Sequence, residues 1–533
     1  MIIDGRSIAE GETLDCDICI VGGGAAGITL AHEFSNQDMK VILLESGGLK
    51  YEQSLESLNQ GEVDRKTHTT LEEYRRRHLG GATTAWGGRC IPFDESDFEY
   101  QSHIPYSGWP ITKKDLAPYY ERANTYCEIG AYNYSVKNIF PDIEDSKSMI
   151  PGLKSEDISL EQLYLFSPPT NFGKRYLDIL KKSGNINVVL YANCLNIATD
   201  ENGSKVEYLN VSSLRKNKFI VRAQRYILAT GGLEVTRLLL LSRDVHKQGI
   251  GNRFNLLGRY YMGHLNAFIN VQFSDKEPII WDYQQLPNGT FYQHSIAIRE
   301  DKRREYGLLN QRFFMYRPNF TDPSHQNSIL SAAYLAKSLI KKTKVVDFGE
   351  HIKNIVVDTP GMLDFSYKWI TKRILSKHKL PSVLVENKSH LHTLRIDSEQ
   401  VPNPNSQVSL SDKKDIFGLN QLKVDWRSSE LDIVSIEKSI EVFQQALEKS
   451  GVGKVVSVPR ISSAPQGGHH LGTTRMSSVP QHGVVDENCK VHDVSNLYIA
   501  SSSVFTTASY ANPTLTVLAL AIRLADHITA VFT

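Results

Sequence analysis

Apolar and polar positions along the chain change their period several times. Residues 18–21 are a continuous β-branched and apolar run that reads as a buried strand. Residues 25–34 then show helical spacing with small residues on the packed side, and residues 40–44 form a second buried strand that ends in Glu45. Pro110, Thr112 and residues 113–115 mark the start of another helix. Residues 188–198 and 218–228 read as strands flanking a more polar segment, with a helix expected over 233–241. Short alternating runs between 270 and 322 suit a sheet with one wet face. Near the end, residues 496–500 predict a strand. Asn512 and Pro513 are placed as N-cap and first turn of a helix over 517–528.

Glycine punctuates the first of these units in a specific way. Gly22, Gly24 and Gly27 stand between the first strand and its helix as G-x-G-x-x-G. The first permits a tight turn, the second lets the backbone approach a pyrophosphate, and the third lets the helix lie close on the sheet. The helix start offers unpaired N–H groups to phosphate, and Glu45 can accept from ribose hydroxyls. Strand, glycines, helix, strand and acid in register predict a dinucleotide fold. A second strand, 218–228, returns into Ala229-Thr230-Gly231-Gly232, which suits a flavin better than a nicotinamide. Four glycines around Thr83, Thr84 and Trp86 in residues 78–90 suggest backbone packed against something flat or anionic, or an ordinary glycine-rich loop.

Composition narrows the rest. At 533 residues the chain is too long for one ordinary core, so two domains are expected. A net charge of +1 gives no field for nucleic acid. Cys16 and Cys19 are formally C-x-x-C, but three residues apart on a strand they face opposite ways, so a shared metal or bridge is not expected. No basic leader followed by an apolar core opens the sequence, and Arg523, Asp526 and His527 interrupt its best apolar run. A cytoplasmic protein without a transmembrane segment is the expectation. Residues 337–379 differ from their surroundings, with ten Lys or Arg against four acids and apolar residues between them. They read as a solvated helical face, with membrane-surface or partner docking as the alternative.

The densest chemistry lies near the C-terminus. Gly467 and Gly468 precede His469-His470-Leu471-Gly472-Thr473-Thr474-Arg475-Met476, followed by GVVD and by Ala511-Asn512-Pro513-Thr514-Leu515-Thr516. Read from the residues alone, the histidines could be satisfied core imidazoles and Asn512 a plain cap. Together with the glycine fingerprint and GGATTAWGG, these motifs resemble those of the glucose–methanol–choline (GMC) flavin oxidoreductases, in particular the pyranose-oxidase and sugar or polyol dehydrogenase branch. The resemblance runs from Gly22 to the C-terminus and is weak between residues 267 and 465.

The resemblance implies FAD and oxidation of an alcohol to a ketone or aldehyde by hydride transfer to flavin N5. The expected substrate is a sugar, glycoside or polyol, and oxygen or a redox carrier would be the electron acceptor. A non-oxidative flavin lyase, or an oxidoreductase on a non-sugar alcohol, is the alternative. The motif register puts His469 in the place of the catalytic base and Asn512 in that of its partner. His470, next on an extended segment, would point the other way. The expected FAD contacts are Gly22, Gly24, Gly27, Glu45, Gly80, Gly81, Thr84, Trp86, Ala229, Gly231, Ala500, Asn512, Pro513 and Thr514. His264 is read as structural. Pyranose-oxidase relatives carry a histidine for a covalent flavin link where this chain has Ala85, so non-covalent FAD is expected. The fold class that follows is a Rossmann-like α/β domain (residues 1–95, 188–266 and 465–533) interleaved with an antiparallel-sheet α+β substrate domain (96–187 and 267–464).

Overall fold

A computed structural model describes residues 1–141, 148–274, 279–382, 384, 391–461 and 468–532, so Gly467 lies outside the described residues. The glycine fingerprint folds as strand, helix, strand. After β1 (Ile2–Asp4), β2 (Thr13–Val21) leads through Gly22–Gly24 into α1 (Ala25–Glu33), and β3 (Val41–Leu44) follows with every residue buried. Gly22 has φ +109°, and a Cβ there would come within 2.6 Å of the Ala229 carbonyl oxygen. A Cβ on Gly27 would meet the Gly22 carbonyl at 1.9 Å, so only glycine lets α1 sit this close to the turn.

Further along are α2 (Lys113–Tyr126), β4 (Ile186–Leu190), β5 (Asn193–Thr199), β6 (Val206–Ser212), β7 (Lys218–Leu228) and α3 (Gly232–Leu241). α2 begins where Thr112 and Asp115 form a capping box. The strands order as β1-β4-β3-β2-β7-β6-β5, parallel from β1 to β7 and antiparallel beyond. One expectation is corrected here: the run 188–198 is two strands. Tyr191 adopts φ +57°, which breaks the extended chain. β4 then pairs with β1 and β3 while β5 goes to the far end of the order.

The second sheet holds β8 (Leu265–Phe273), β9 (Gln311–Tyr316), β10 (Leu391–Ser398) and β11 (Gly453–Ile461) in the antiparallel order β9-β10-β8-β11. β8 alternates buried and half-buried positions along its length, as the period of two requires. Between β9 and β10 the described residues include three α-helices, α4 (Ser328–Lys341), α5 (Phe348–Val357) and α6 (Thr359–Trp369). Behind the sheet lies α7 (Glu430–Ser450), which buries Ile436, Ile440, Phe443 and Leu447, with the Phe443 ring 5.1 Å from that of Phe313.

The C-terminal stretch returns to the first sheet. β12 (Leu497–Ile499) pairs in parallel with β7, and α8 (Thr514–Phe532) packs beside α2, where the Thr516 and Tyr120 hydroxyls share a 2.9 Å hydrogen bond. By length and composition α8 could cross a membrane, but it is a core helix that buries Leu515, Leu518, Ile522 and Ile528. The architecture is therefore the expected one: a parallel α/β sheet drawing on both ends and the middle of the chain, beside a separate antiparallel sheet.

Candidate active site

A long cavity runs along the C-terminal edge of the parallel strands, where open α/β sheets hold ligands. Its wall includes Gly22, Gly24, Glu45, Gly81, Trp86, Ala229, Gly231, Ala500, Pro513 and Thr514. These are ten of the expected contacts. Three others stand just behind it. Gly27 serves helix packing. Gly80, at φ +101°, donates its N–H to the Gly23 carbonyl, and the Thr84 hydroxyl donates to the Gly81 carbonyl. Ala82 and Thr83 occupy the wall in their place.

The cavity suits an anionic dinucleotide. α1 starts without a side-chain cap, and a Cβ on Gly24 would meet nothing within 4 Å, so backbone faces open space there. Thr230 Oγ1 and Asn193 Oδ1 are buried at this wall with no protein partner among the described residues. Arg75 and Arg77 also line it, and both pair with Glu234, at 2.5 and 2.8 Å. Glu45 is buried with one oxygen accepting from the Gly23 N–H and the other from the Gly47 N–H, each at 2.8 Å, so it shapes the loop as well as facing the cavity.

His469 and His470 leave the chain toward different partners. His264 Nε2 lies 3.1 Å from the Ala508 carbonyl, which can only accept, so the neutral His264 ring carries its hydrogen on Nε2. Its bare Nδ1 then accepts from His469 Nδ1–H at 2.8 Å. His469 is left with a lone pair on Nε2, and Asn512 Nδ2–H points to it from 3.2 Å. Burial pushes His469 well below the ordinary imidazole value, and His264, Arg395, His470 and Arg89 act in the same sense. Arg89 and Arg395 both pair with Asp397, at 2.9 and 2.6 Å, which joins Arg89 to two residues of β10 in a charged cluster near this imidazole. Asn512 stands two residues ahead of α8, one position earlier than the cap reading puts it.

His470 belongs to another network. His68 Nδ1–H donates to the Thr69 carbonyl at 2.7 Å, so His68 Nε2 accepts from the Tyr261 hydroxyl at 2.8 Å. Tyr261 Oη in turn accepts from His470 Nδ1–H at 2.7 Å. The connections of His264, Tyr261 and His68 link segments about 200 residues or more from the histidine pair, and no spacing in the sequence announces them. Arg75-Arg76-Arg77 was a visible signal, a basic triplet between two glycine-rich segments.

The chain is similar to known proteins in sequence and in fold. Residues 402–521 match the family model described as GMC oxidoreductase. The chain is 23% identical to the fructose dehydrogenase large subunit of Gluconobacter japonicus, over 97% of this chain and 98% of that one. It is 22% identical to the 6'''-hydroxyparomomycin C oxidase of Streptomyces lividus, over 96% and 92%. Among solved structures, a formate oxidase aligns with TM-score 0.53 at 16% identity, covering 98% of this chain and 99% of that one. Pyridoxine 4-oxidase from Mesorbium loti aligns with TM-score 0.54 at 16% identity, covering 97% and 99%. These structural likenesses concern the fold.

Proposed function

We propose, from a chain whose residues 402–521 match the GMC oxidoreductase family model, that it oxidises a CH–OH group of a sugar, glycoside or polyol with FAD held non-covalently. The observation that carries this reading is the His469 Nε2 lone pair beside the Asn512 amide. FAD, when bound, supplies the acceptor for the hydride that leaves the carbinol carbon. Gly22, Gly24 and the start of α1 would hold its pyrophosphate, with Arg75 and Arg77 nearby, and Glu45 would meet its ribose.

The chain's own part is proton handling and orientation. His469 Nε2 takes the hydroxyl proton, and Asn512 Nδ2–H donates to the same oxygen as negative charge develops on it. The bond from His469 Nδ1–H to His264 fixes the tautomer that leaves Nε2 basic. His264 is thus a positioning residue. Its depressed neighbour stays unprotonated at neutral pH, ready to act as a base. Arg89, Arg395 and Asp397 make this end of the site polar, which suits a polyhydroxylated substrate better than a plain aliphatic alcohol.

Ala85 supports the free cofactor, because its methyl side chain offers no atom to a flavin carbon. Two measurements test the reading. Acid precipitation should release the flavin to the supernatant, and flavin retained on the denatured chain would reject the non-covalent part. Anaerobic mixing with a panel of sugars, glycosides and polyols should bleach the flavin. Bleaching by simple alkanols alone would reject the substrate class.

A further inference from the structure

Surface helices of a folded chain turn their apolar stripe inward. α5 does the reverse. Phe348, Ile352 and Val356 follow one another at intervals of four, on one face, and all three are exposed, Val356 to 70%. The buried positions are polar: His351 at 0% and Asn354 at 8%. Both are hydrogen-bonded, His351 Nδ1 with the Ser331 hydroxyl at 3.0 Å and Asn354 Nδ2 donating to the Pro323 carbonyl at 2.9 Å, while His351 Nε2 has no partner among the described residues. The inversion is thus held by specific hydrogen bonds to α4 and the loop before it. α6 and the π-helical turn that continues it (Ile370–Leu375) present a second apolar line, with Leu363, Tyr367, Ile370 and Ile374 exposed along it. Twelve of the twenty-six large exposed hydrophobics among the described residues fall between Leu339 and Leu375. So dense a patch marks an interaction surface.

Charge identifies what covers it. Between residues 337 and 379 there are nine lysines, one arginine and four acids, a net of +6 in a chain whose total is +1. Protein–protein interfaces deplete lysine and enrich arginine, the opposite of this composition. Lysines interleaved with aliphatic and aromatic side chains suit a layer of helices lying on anionic lipid, with apolar tips in the acyl boundary and ammonium groups among the headgroups. α5 has 10 residues and α6 has 11, too short to span a bilayer and sufficient to lie on one. We propose that the α4–α6 insertion docks this enzyme on an anionic membrane surface through its outward apolar stripes and lysines. The insertion joins β9 to β10, and β10 carries Arg395 and Asp397, so docking sets the membrane on the substrate-domain side of the molecule.

The test is co-sedimentation of the flavin-loaded full chain with vesicles of phosphatidylcholine containing about 30% phosphatidylserine, in about 150 mM salt. The chain should pellet with these vesicles and remain in solution with phosphatidylcholine alone. Val356→Glu with Leu363→Glu should abolish pelleting while flavin reduction by a soluble substrate is kept. Lys372→Gln, Lys377→Gln and Lys379→Gln, all exposed, should each lower the partition coefficient by about fivefold, and they probe the proposal independently should the glutamate variant fail to fold. Wild-type chain left in the supernatant overturns the proposal. So does a stable dimer or protein complex that the Val356→Glu variant dissolves, because the patch would then be a protein interface.

Discussion

His469 and His470 are consecutive, and each is tied through its Nδ1–H into a relay that ends on a main-chain carbonyl, through His264 for the first and through Tyr261 and then His68 for the second. Burial depresses both imidazoles. They differ in what the rest of each network contributes. His469 meets Asn512, which immediately precedes two residues of the cavity wall, and feels the cluster that Arg89 forms with Asp397 and Arg395 of β10. His470 stacks on Tyr261 and His68, and its carbonyl accepts from the Ser502 hydroxyl at 2.7 Å. Neighbouring positions on the chain thus send a chemically similar pair into two separate networks, with His470 on the cavity wall and His469 beside Asn512.

The largest test of that division is the pair of alanine variants. His469→Ala should slow anaerobic flavin reduction by roughly 100-fold or more, as loss of a general base does, and His470→Ala by less than about 10-fold. The reverse ranking in stopped-flow traces would exchange the two roles. Asn512→Ala should come next, at about 10-fold, from the loss of one hydrogen bond to a developing charge. An effect confined to KM would make Asn512 a ground-state contact instead.

A finer comparison uses pH. His469 must be neutral to accept a proton, and its value is held below the ordinary 6.5, so the rate should be flat above pH 6.5 and fall only at lower pH. His264 contributes to that depression. His264→Ala should therefore move the acid limb to higher pH, besides slowing reduction several-fold by freeing the tautomer. A variant that loses rate with no movement of the limb would reduce His264 to packing. The smallest kinetic effect belongs to Tyr261→Phe, which breaks the other relay. It should cost about 1–3 kcal/mol in denaturant unfolding, for two ring nitrogens left unmatched, and leave the pH profile in place. A shifted acid limb in this variant would join the two networks into one.

Local chemistry made half of this arrangement legible. The turn at Gly22–Gly24 and the C-terminal helix each follow from a few neighbouring residues, and most of the cavity wall follows from those turns. The break at Tyr191 was hidden because a positive φ at a tyrosine has no compositional mark, and without it β4 and β5 read as one strand. His264 was read as structural for a related reason: its value lies in a contact 205 residues distant, made when β8 is carried beside the histidine pair. The basic stretch was read as a solvated face from its charge. Its exposed apolar stripes emerged only once His351 and Asn354 were seen on the inner side of α5.

The parallel sheet's last members have a temporal consequence. β12 and α8 leave the ribosome more than 460 residues after the glycine turn and α1. At about 5–20 residues per second the interval is roughly 25–100 s. During it, the surface of α2 that α8 covers, around Tyr120, is exposed on a nascent chain. For that interval the apolar face of α2 stays open to other chains, which is the stage at which self-association competes with folding. A premature stop anywhere before β12 would yield a product that exposes the same surface permanently, to be met by proteolysis or aggregation.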